Sequence, residues 1–177
     1  MLLDLGADKP DCKMVEKLTR NSFTPVTVGG GVNSISDVSD LLNAGADKIC
    51  IKSKSVIQDA SKMLGRQAIC ASLEVRDDDY IDQAKELEDL GAGEILLQSV
   101  DRDGMMEGYD LEVITRVTRN ISIPVIASCG FGTPQHMLEA IQAGASAVAA
   151  GAMFQFSSET PKSAAEYLSQ HGIEARK

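Results

Sequence analysis

The sequence predicts a parallel α/β fold of the (β/α)8 barrel class, and three observations carry that prediction. Short apolar runs alternate with amphipathic stretches about seven times, no hairpin signal joins any two strands, and residue n resembles residue n+99 over long stretches. Strand, loop and helix in that alternation require parallel strands joined by right-handed crossovers. The strands are expected at Leu2 to Leu5, Val26 to Val28, Lys48 to Ile51, Ala68 to Leu73, Glu94 to Gln98, Val125 to Ala127 and Ala147 to Ala150, each a short apolar run.

The intervening helices each show one apolar face at i, i+3, i+4 spacing. The first carries Met14, Val15 and Leu18, the second Val38, Leu41 and Leu42, and the third Ile57, Ala60 and Leu64. The fourth carries Ile81, Ala84, Leu87 and Leu90, and the fifth Leu111, Ile114 and Val117. Met137, Leu138 and Ile141 mark the sixth, and Ala164, Ala165 and Leu168 the last. Gly45, Gly91 and Gly144 stand where a left-handed cap would close a helix.

Alternation alone fits a doubly wound sheet as well as a barrel, and the internal repeat decides between them. "TRNSFTPVTVGGGV" from Thr19 falls on "TRNISIPVIASCGF" from Thr118, and "LLNAGADKI" from Leu41 falls on "AIQAGASAV" from Ala140, without a gap. Two copies of a βαβα unit, each ending a strand in glycine, are what a twofold half-barrel duplication leaves behind. Loops at the carboxyl ends of barrel strands form the active face.

Composition bounds the rest. A chain of 177 residues, 44% hydrophobic, has room for one domain over 1–177. Aromatic residues are only 4% and Trp is absent, so packing rests on Ala, Val, Ile and Leu in closely approaching layers. A formal net charge of -9 argues against a nucleic-acid surface. No apolar run approaches the roughly 18–20 residues of a membrane span, and the amino end has no signal-peptide pattern, which points to a cytosolic protein. Cys12, Cys50, Cys70 and Cys129 form no CxxC pair and read as thiols, with Cys50 and Cys70 inside strands. His136 and His171 are too few for a metal centre or a serine triad, and no cofactor is expected.

A glycine between a strand end and a helix lets several backbone N–H groups converge on an anion, for which phosphate is the usual guest. Two such sites are expected. One draws on Gly30, Gly31 and Ser53; the other draws on Ser128, Gly130, Gly151 and Ala152 in "IASCGFG" and "AAGAMF". Gly104 of "DRDG" is a further candidate for substrate contact. A long substrate with a phosphate at each end would suit the pair.

These strand ends together resemble one family. "PVTVGGGV", "AGADKICIKS", "LGAGEILLQSVDRDGMMEGYDLEVI", "IPVIASCGFG" and "AVAAGAMFQF" are similar to the successive strand ends of the HisF family, the cyclase subunit of imidazole glycerol phosphate synthase. The HisA isomerase shares the GGG and DRDG signatures, but "GADKICIKS" and "FQF" sit nearer the cyclase. The resemblance implies a TIM barrel of the ribulose-phosphate-binding type. Because "MLLDLGAD" resembles the family's second strand, the expectation is a barrel shortened at its amino end to about seven βα units. Its unpaired edges would then need a longer gene product or another chain to cover them.

The resemblance also implies a reaction in histidine biosynthesis. Ammonia from a separate glutaminase partner attacks a bisphosphorylated formimino carboxamide ribotide, giving imidazole glycerol phosphate and an aminoimidazole carboxamide ribotide. Two carboxylates move protons in the family, one on the first strand and one on the fifth; the fifth-strand position is Glu74 here, and Asp103 of "DRDG" takes a substrate-orienting role at the mouth. The family's first-strand Asp has no counterpart. Lys48 and Glu94 match two members of the charged ring through which ammonia enters the barrel. Lys52 and Ser53 replace an Asn-Thr pair, Gly151 and Ala152 replace an Ala-Ser pair, and the long loop after "AICASLEV" is missing. Two other readings stand beside this one: an inactive phosphate-binding scaffold, and a paralogue serving amidination of surface sugars.

Overall fold

Four helices open on a side chain that accepts from a first-turn amide: Asp11, Ser34, Asp110 and Thr160. In the first half Asp11 accepts from the Met14 amide at 3.0 Å to open α1 (Cys12–Thr19), and Ser34 accepts from Asp37 at 3.2 Å to open α2 (Ile35–Asn43). The remaining helices are α3 (Lys54–Leu64), α4 (Tyr80–Asp89), α5 (Leu111–Thr118), α6 (Pro134–Gln142), α7 (Ala152–Phe156) and α8 (Pro161–Gln170). Between them run β1 (Leu2–Leu3), β2 (Thr27–Gly29), β3 (Lys48–Ile51), β4 (Ile69–Val75), β5 (Glu94–Ser99), β6 (Val125–Ser128) and β7 (Ala147–Val148). The structure is a computed structural model and describes residues 1–3, 6–76 and 78–175. It holds seven βα units of the TIM-barrel class.

The described residues cluster into two compact units, Met1–Leu73 with Asp82–Leu96 and Glu74–Ile81 with Leu97–Lys177. In the first unit β1, β2, β3 and β4 pair in chain order, all parallel, with Leu2 opposite Val28, Val28 opposite Ile49, and Ile49 opposite Ile69. Its core is Val38, Leu41, Ile49, Ile51, Ile57 and Ile69, each at most 1% exposed. In the second unit β6 and β7 pair in parallel, with Ile126 opposite Ala147. Ile114, Val117, Val125 and Ala127 are buried there. Each such Ile or Leu contributes about 1.5–3 kcal/mol by leaving water.

Several boundaries differ from the sequence reading. Of the strand expected at Leu2 to Leu5, Asp4 and Leu5 lie outside the described residues. β2 runs to Gly29 instead of stopping ahead of the glycines, because Gly29 pairs with Cys50 in the ladder. A Cβ on Gly29 would sit 2.8 Å from the Cys50 Cβ, so only glycine fits that rung. β4 extends to Val75, taking in Glu74, and β6 to Ser128. β7 is two residues shorter than expected, although the Ala149 amide still reaches Ala127 O at 2.8 Å. α7 was not expected at all: "AMFQF" makes one turn that buries Met153 and sets Phe154 5.7 Å from the Phe131 ring.

The repeat at n+99 is realised bond for bond within each unit. Ala44 N bonds Asp40 O at 2.9 Å, Ala46 N bonds Leu41 O at 3.1 Å and Asp47 N bonds Val26 O at 2.9 Å. Ala143 N to Glu139 O, Ala145 N to Ala140 O and Ser146 N to Val125 O have the same lengths. Gly45 and Gly144 hold φ of 101° and 113°, and a Cβ on either would lie 2.5 or 2.6 Å from Oγ1 of Thr19 or Thr118. Each of those hydroxyls is in turn tied 2.9 Å from the carbonyl four residues before it, Val15 or Ile114.

Gly45→Ala and Gly144→Ala are therefore expected to cost about 2–3 kcal/mol each, combining left-handed strain with a fixed neighbour. Gly172→Ala, with φ of 79° and nothing within 4 Å, should cost about 1 kcal/mol. Urea unfolding of the three variants measures this; equal losses would mean that the threonine contacts carry nothing.

Candidate functional site

In the second unit the strand ends bring three polar groups to one thiol. Glu74 stands one residue before the end of β4, Asp103 follows the 3-10 turn Val100–Arg102 that ends β5, and Ser128 is the last residue of β6. Cys129, next in the chain, lies with its Sγ 3.9 Å from Ser128 Oγ. Its S–H donates to that hydroxyl, and the thiol lies within the field of the Asp103 and Glu74 carboxylates. Burial first, then the Asp103 carboxylate, push that thiol up to about 11. Burial, and then Cys129, raise the Tyr109 phenol, whose OH donates to Ala149 O at 2.9 Å. Arg76 Nε and Nη2 hold Glu74 Oε2 at 3.2 and 3.1 Å.

The glycines around this thiol have two separable reasons. Gly130 is at φ 91° and a Cβ there would lie 2.2 Å from Gly108 O, while its own carbonyl accepts from Gly108 N at 2.7 Å. Gly132 likewise leaves room for Met106 O. The loop after β6 and the "DRDG" loop thus pack backbone on backbone, and this alone requires glycine. What the packing leaves is a pair of successive residues with positive φ, Cys129 at 72° and Gly130 at 91°. A non-glycine residue in that conformation is strained by roughly 1–2 kcal/mol. Gly104, at φ 74° with open space around it, is glycine for its backbone angle only. Gly151 caps α7 at φ -133° without a side-chain bond, and Ala152 begins that single turn.

The first unit carries the repeat's other such pair. Gly30 and Gly31 have φ of 108° and 65°, and a Cβ on Gly31 would lie 2.7 Å from the Lys9 backbone nitrogen. The α2 amino terminus beside it already has an anion: the Asp37 carboxylate takes Asn33 N at 3.0 Å and Ser34 Oγ at 2.8 Å. Ser34 first, and Asn33 with it, hold the Asp37 carboxyl below its usual range. At n+99 the same service is done by His136, whose Nδ1 accepts from Gly132 N at 3.2 Å, so its role in the fold is structural. Ser53 precedes α3 without capping it and instead lies 3.2 Å from Ser55 Oγ.

Lys48 and Glu94 form an ion pair in the first unit, with side chains 36% and 12% exposed. Residues alternate faces along a strand, so Lys48 and Cys50 share one face of β3, while Ile49 and Ile51 bury the other against α2 and α3. Parallel register continues the first face through Thr27 opposite Lys48 and Cys70 opposite Cys50. The Cys70 thiol bonds to Cys50 and feels both Glu94 and Lys48; the bond to Cys50 and burial raise it far above the usual thiol range. All four cysteines are free thiols. Among the described residues no cluster of His, Cys, Asp or Glu has the makings of a metal site, and no helix is long and apolar enough to cross a membrane.

The geometry meets known proteins at this point. Residues 1–160 match the model of the family described as histidine biosynthesis protein. The chain is 34% identical over 202 residues to imidazole glycerol phosphate synthase subunit HisF of Exiguobacterium sibiricum, a match that covers 99% of this chain and 81% of that one. The chain belongs to the HisF family. The matched span is longer than the 177 residues here, so that HisF carries residues without counterpart in this chain. Cys129 is the residue of this HisF-family site that sequence reading passed over. The signal was present, since n+99 sets Cys129 against Gly30 in a loop where glycine is otherwise the rule.

A water-soluble disulfide reagent is expected to label Cys12 and Cys129 in the native protein and to reach the buried Cys50 and Cys70 only on unfolding. With its pKa pushed up to about 11, Cys129 should label about tenfold faster per pH unit between about pH 8 and 10. A folded pKa above the unfolded value gives stability that is complete below about pH 8.5 and is lost as pH rises toward 11. A labelling rate flat across that range would show a thiol already ionised at pH 8.

Proposed function

We propose that this chain is the cyclase component of imidazole glycerol phosphate synthase, acting in histidine biosynthesis on a bisphosphorylated formimino carboxamide ribotide with ammonia from a glutaminase subunit. The observation that supports it best is that Glu74, Asp103 and the glycine-containing loop Cys129–Gly130 stand at the carboxyl ends of β4, β5 and β6. Carboxylates beside such a loop are what C–N cleavage and ring closure on a phosphorylated substrate need.

In this reading one substrate phosphate lies on the amides of Gly130, Gly151 and Ala152, with Ser128 beside them, and the other on Gly30, Gly31 and Ser53. Gly104 lets the Asp103 loop turn towards the reacting centre. A phosphate held in this way leaves the reacting atoms few orientations, which turns a bimolecular encounter into an effectively intramolecular one. Glu74, held by Arg76, takes and returns protons at the centre, and Asp103 orients the substrate. Lys48 and Glu94 admit ammonia along the face that carries Cys50 and Cys70.

One observation favours a second reading. The Glu74 oxygen is already engaged by Arg76, as suits a barrel that binds phosphate without turnover. Purified protein supplied with the ribotide and ammonium chloride is expected to form imidazole glycerol phosphate. Glu74→Gln should lower kcat by about 100- to 10,000-fold with ribotide binding kept, and Asp103→Asn by less. Phosphate-dependent binding with no turnover by the unaltered protein would establish the scaffold instead.

A further inference from the structure

The two copies of the repeat tie neighbouring loops together with different side chains, and the difference falls on His136. In the first unit Asn33 makes the tie: its Nδ2 donates to Asp8 O at 3.2 Å and to Gly31 O at 3.1 Å, so one side chain joins the loop after β1 to the loop after β2. At n+99 Asn33 becomes Gly132, where a side chain is forbidden because a Cβ would lie 1.9 Å from Met106 O. The second pair of loops still meets, with Gly108 N donating to Gly130 O at 2.7 Å. The side chain that supports this meeting must therefore come from elsewhere.

We infer that His136 is a positioning residue for the Gly130 loop, its one ring taking over both the amide bond of Asp37 and the loop-to-loop tie of Asn33. This rests on the reading of Gly130 as part of a phosphate anchor. Nδ1 accepts from Gly132 N at 3.2 Å, which fixes the loop after β6. The rest of the ring lies over the bare side of Gly108, where a Cβ would sit 3.5 Å from Cδ2 and 3.6 Å from Nε2, in ordinary van der Waals contact. Lys9 is the counterpart of Gly108, so the ring bears on the same point of the second copy that Gly31 meets in the first. His136 is the third residue of α6, a helix rooted by the buried Met137, Leu138 and Ala140, and its backbone N donates to Thr133 O at 2.9 Å. The ring is thus fixed on its helix, and the two loops are fixed on the ring. Gly108 O in turn accepts from Arg102 Nη1 at 3.4 Å, which extends the clamp to the residue before Asp103. A loop released from such a clamp must be ordered again whenever substrate binds, so the loss is expected in binding ahead of chemistry.

Three substitutions divide the clamp into its parts. His136→Asn keeps a short acceptor, as Asp37 does at the matching position, and loses the ring over Gly108. His136→Phe keeps a ring and loses the acceptor, and His136→Ala loses both. With ribotide and ammonium chloride, KM should rise about tenfold in the Ala variant and about threefold in the Asn and Phe variants, with kcat within about twofold throughout. An unaltered KM in His136→Ala, or a kcat that falls as far as KM rises, would overturn the inference. Amide exchange of Gly132 followed by NMR tests the clamp without any ligand. Exchange should be about tenfold faster in the Ala and Phe variants and within about threefold of the unaltered protein in Asn. That pattern in a protein that turns over no ribotide would count against the cyclase reading and leave the clamp standing. Equal exchange in all four proteins would overturn the clamp itself.

Discussion

The structure depends most on how closely the backbone of one strand-to-helix loop lies against the backbone of its neighbour. Gly31 meets Lys9, Gly130 meets Gly108, Gly132 meets Met106 and Gly93 meets Arg66, each at a distance that a single methyl would forbid. Loops that touch main chain to main chain leave little space for side chains between strand ends, and this fixes the amide directions to within small angles. The positive φ angles at residues 30–31 and 129–130 are products of that packing before they are anything else.

Duplication supplies an internal control on what each loop residue is for. Where the two copies differ in chemistry but keep the bond, the residue serves the fold: Asp37 and His136 both accept the amide four residues before them. Where the copies differ and the bond is new, another cause must be sought. Gly30 and Cys129 both have positive φ, yet only the cysteine carries a side chain, whose S–H donates to Ser128 Oγ. The comparison also shows why Ser34 and Thr133 have parted: the first caps its helix and carries Asp37 as a built-in anion, while the second leaves the cap unmade.

The fold class was legible because it depends on periodicities that survive locally: a two-residue alternation in β3, a helical stripe in α2, glycines closing helices at 45, 91 and 144. The limits of β2 and the presence of α7 were not, for opposite reasons. Gly29 reads as a strand breaker by propensity, and it is the neighbouring strand's Cys50 that makes glycine the one residue the rung accepts. α7 is too short to show a stripe and forms because Met153 and Phe154 find partners far along the chain. At the candidate site the carboxylates could be matched by motif. Cys129 could not, since what sets it apart is a backbone angle.

The Lys48–Glu94 pair and the thiols next to it follow from the same parity that buries Ile49 and Ile51. A strand packed by helices on one face must present its alternate residues to the other, and in the first unit those are Thr27, Lys48, Cys50 and Cys70. Such a face could have been wholly apolar. An ion pair with Glu94 mostly out of water and Lys48 half out gains little net stability, because desolvation offsets much of the attraction, and apolar residues of like size generally do as well. Charge kept at the amino ends of strands, followed by two weakly polar thiols, is therefore not explained by stability alone.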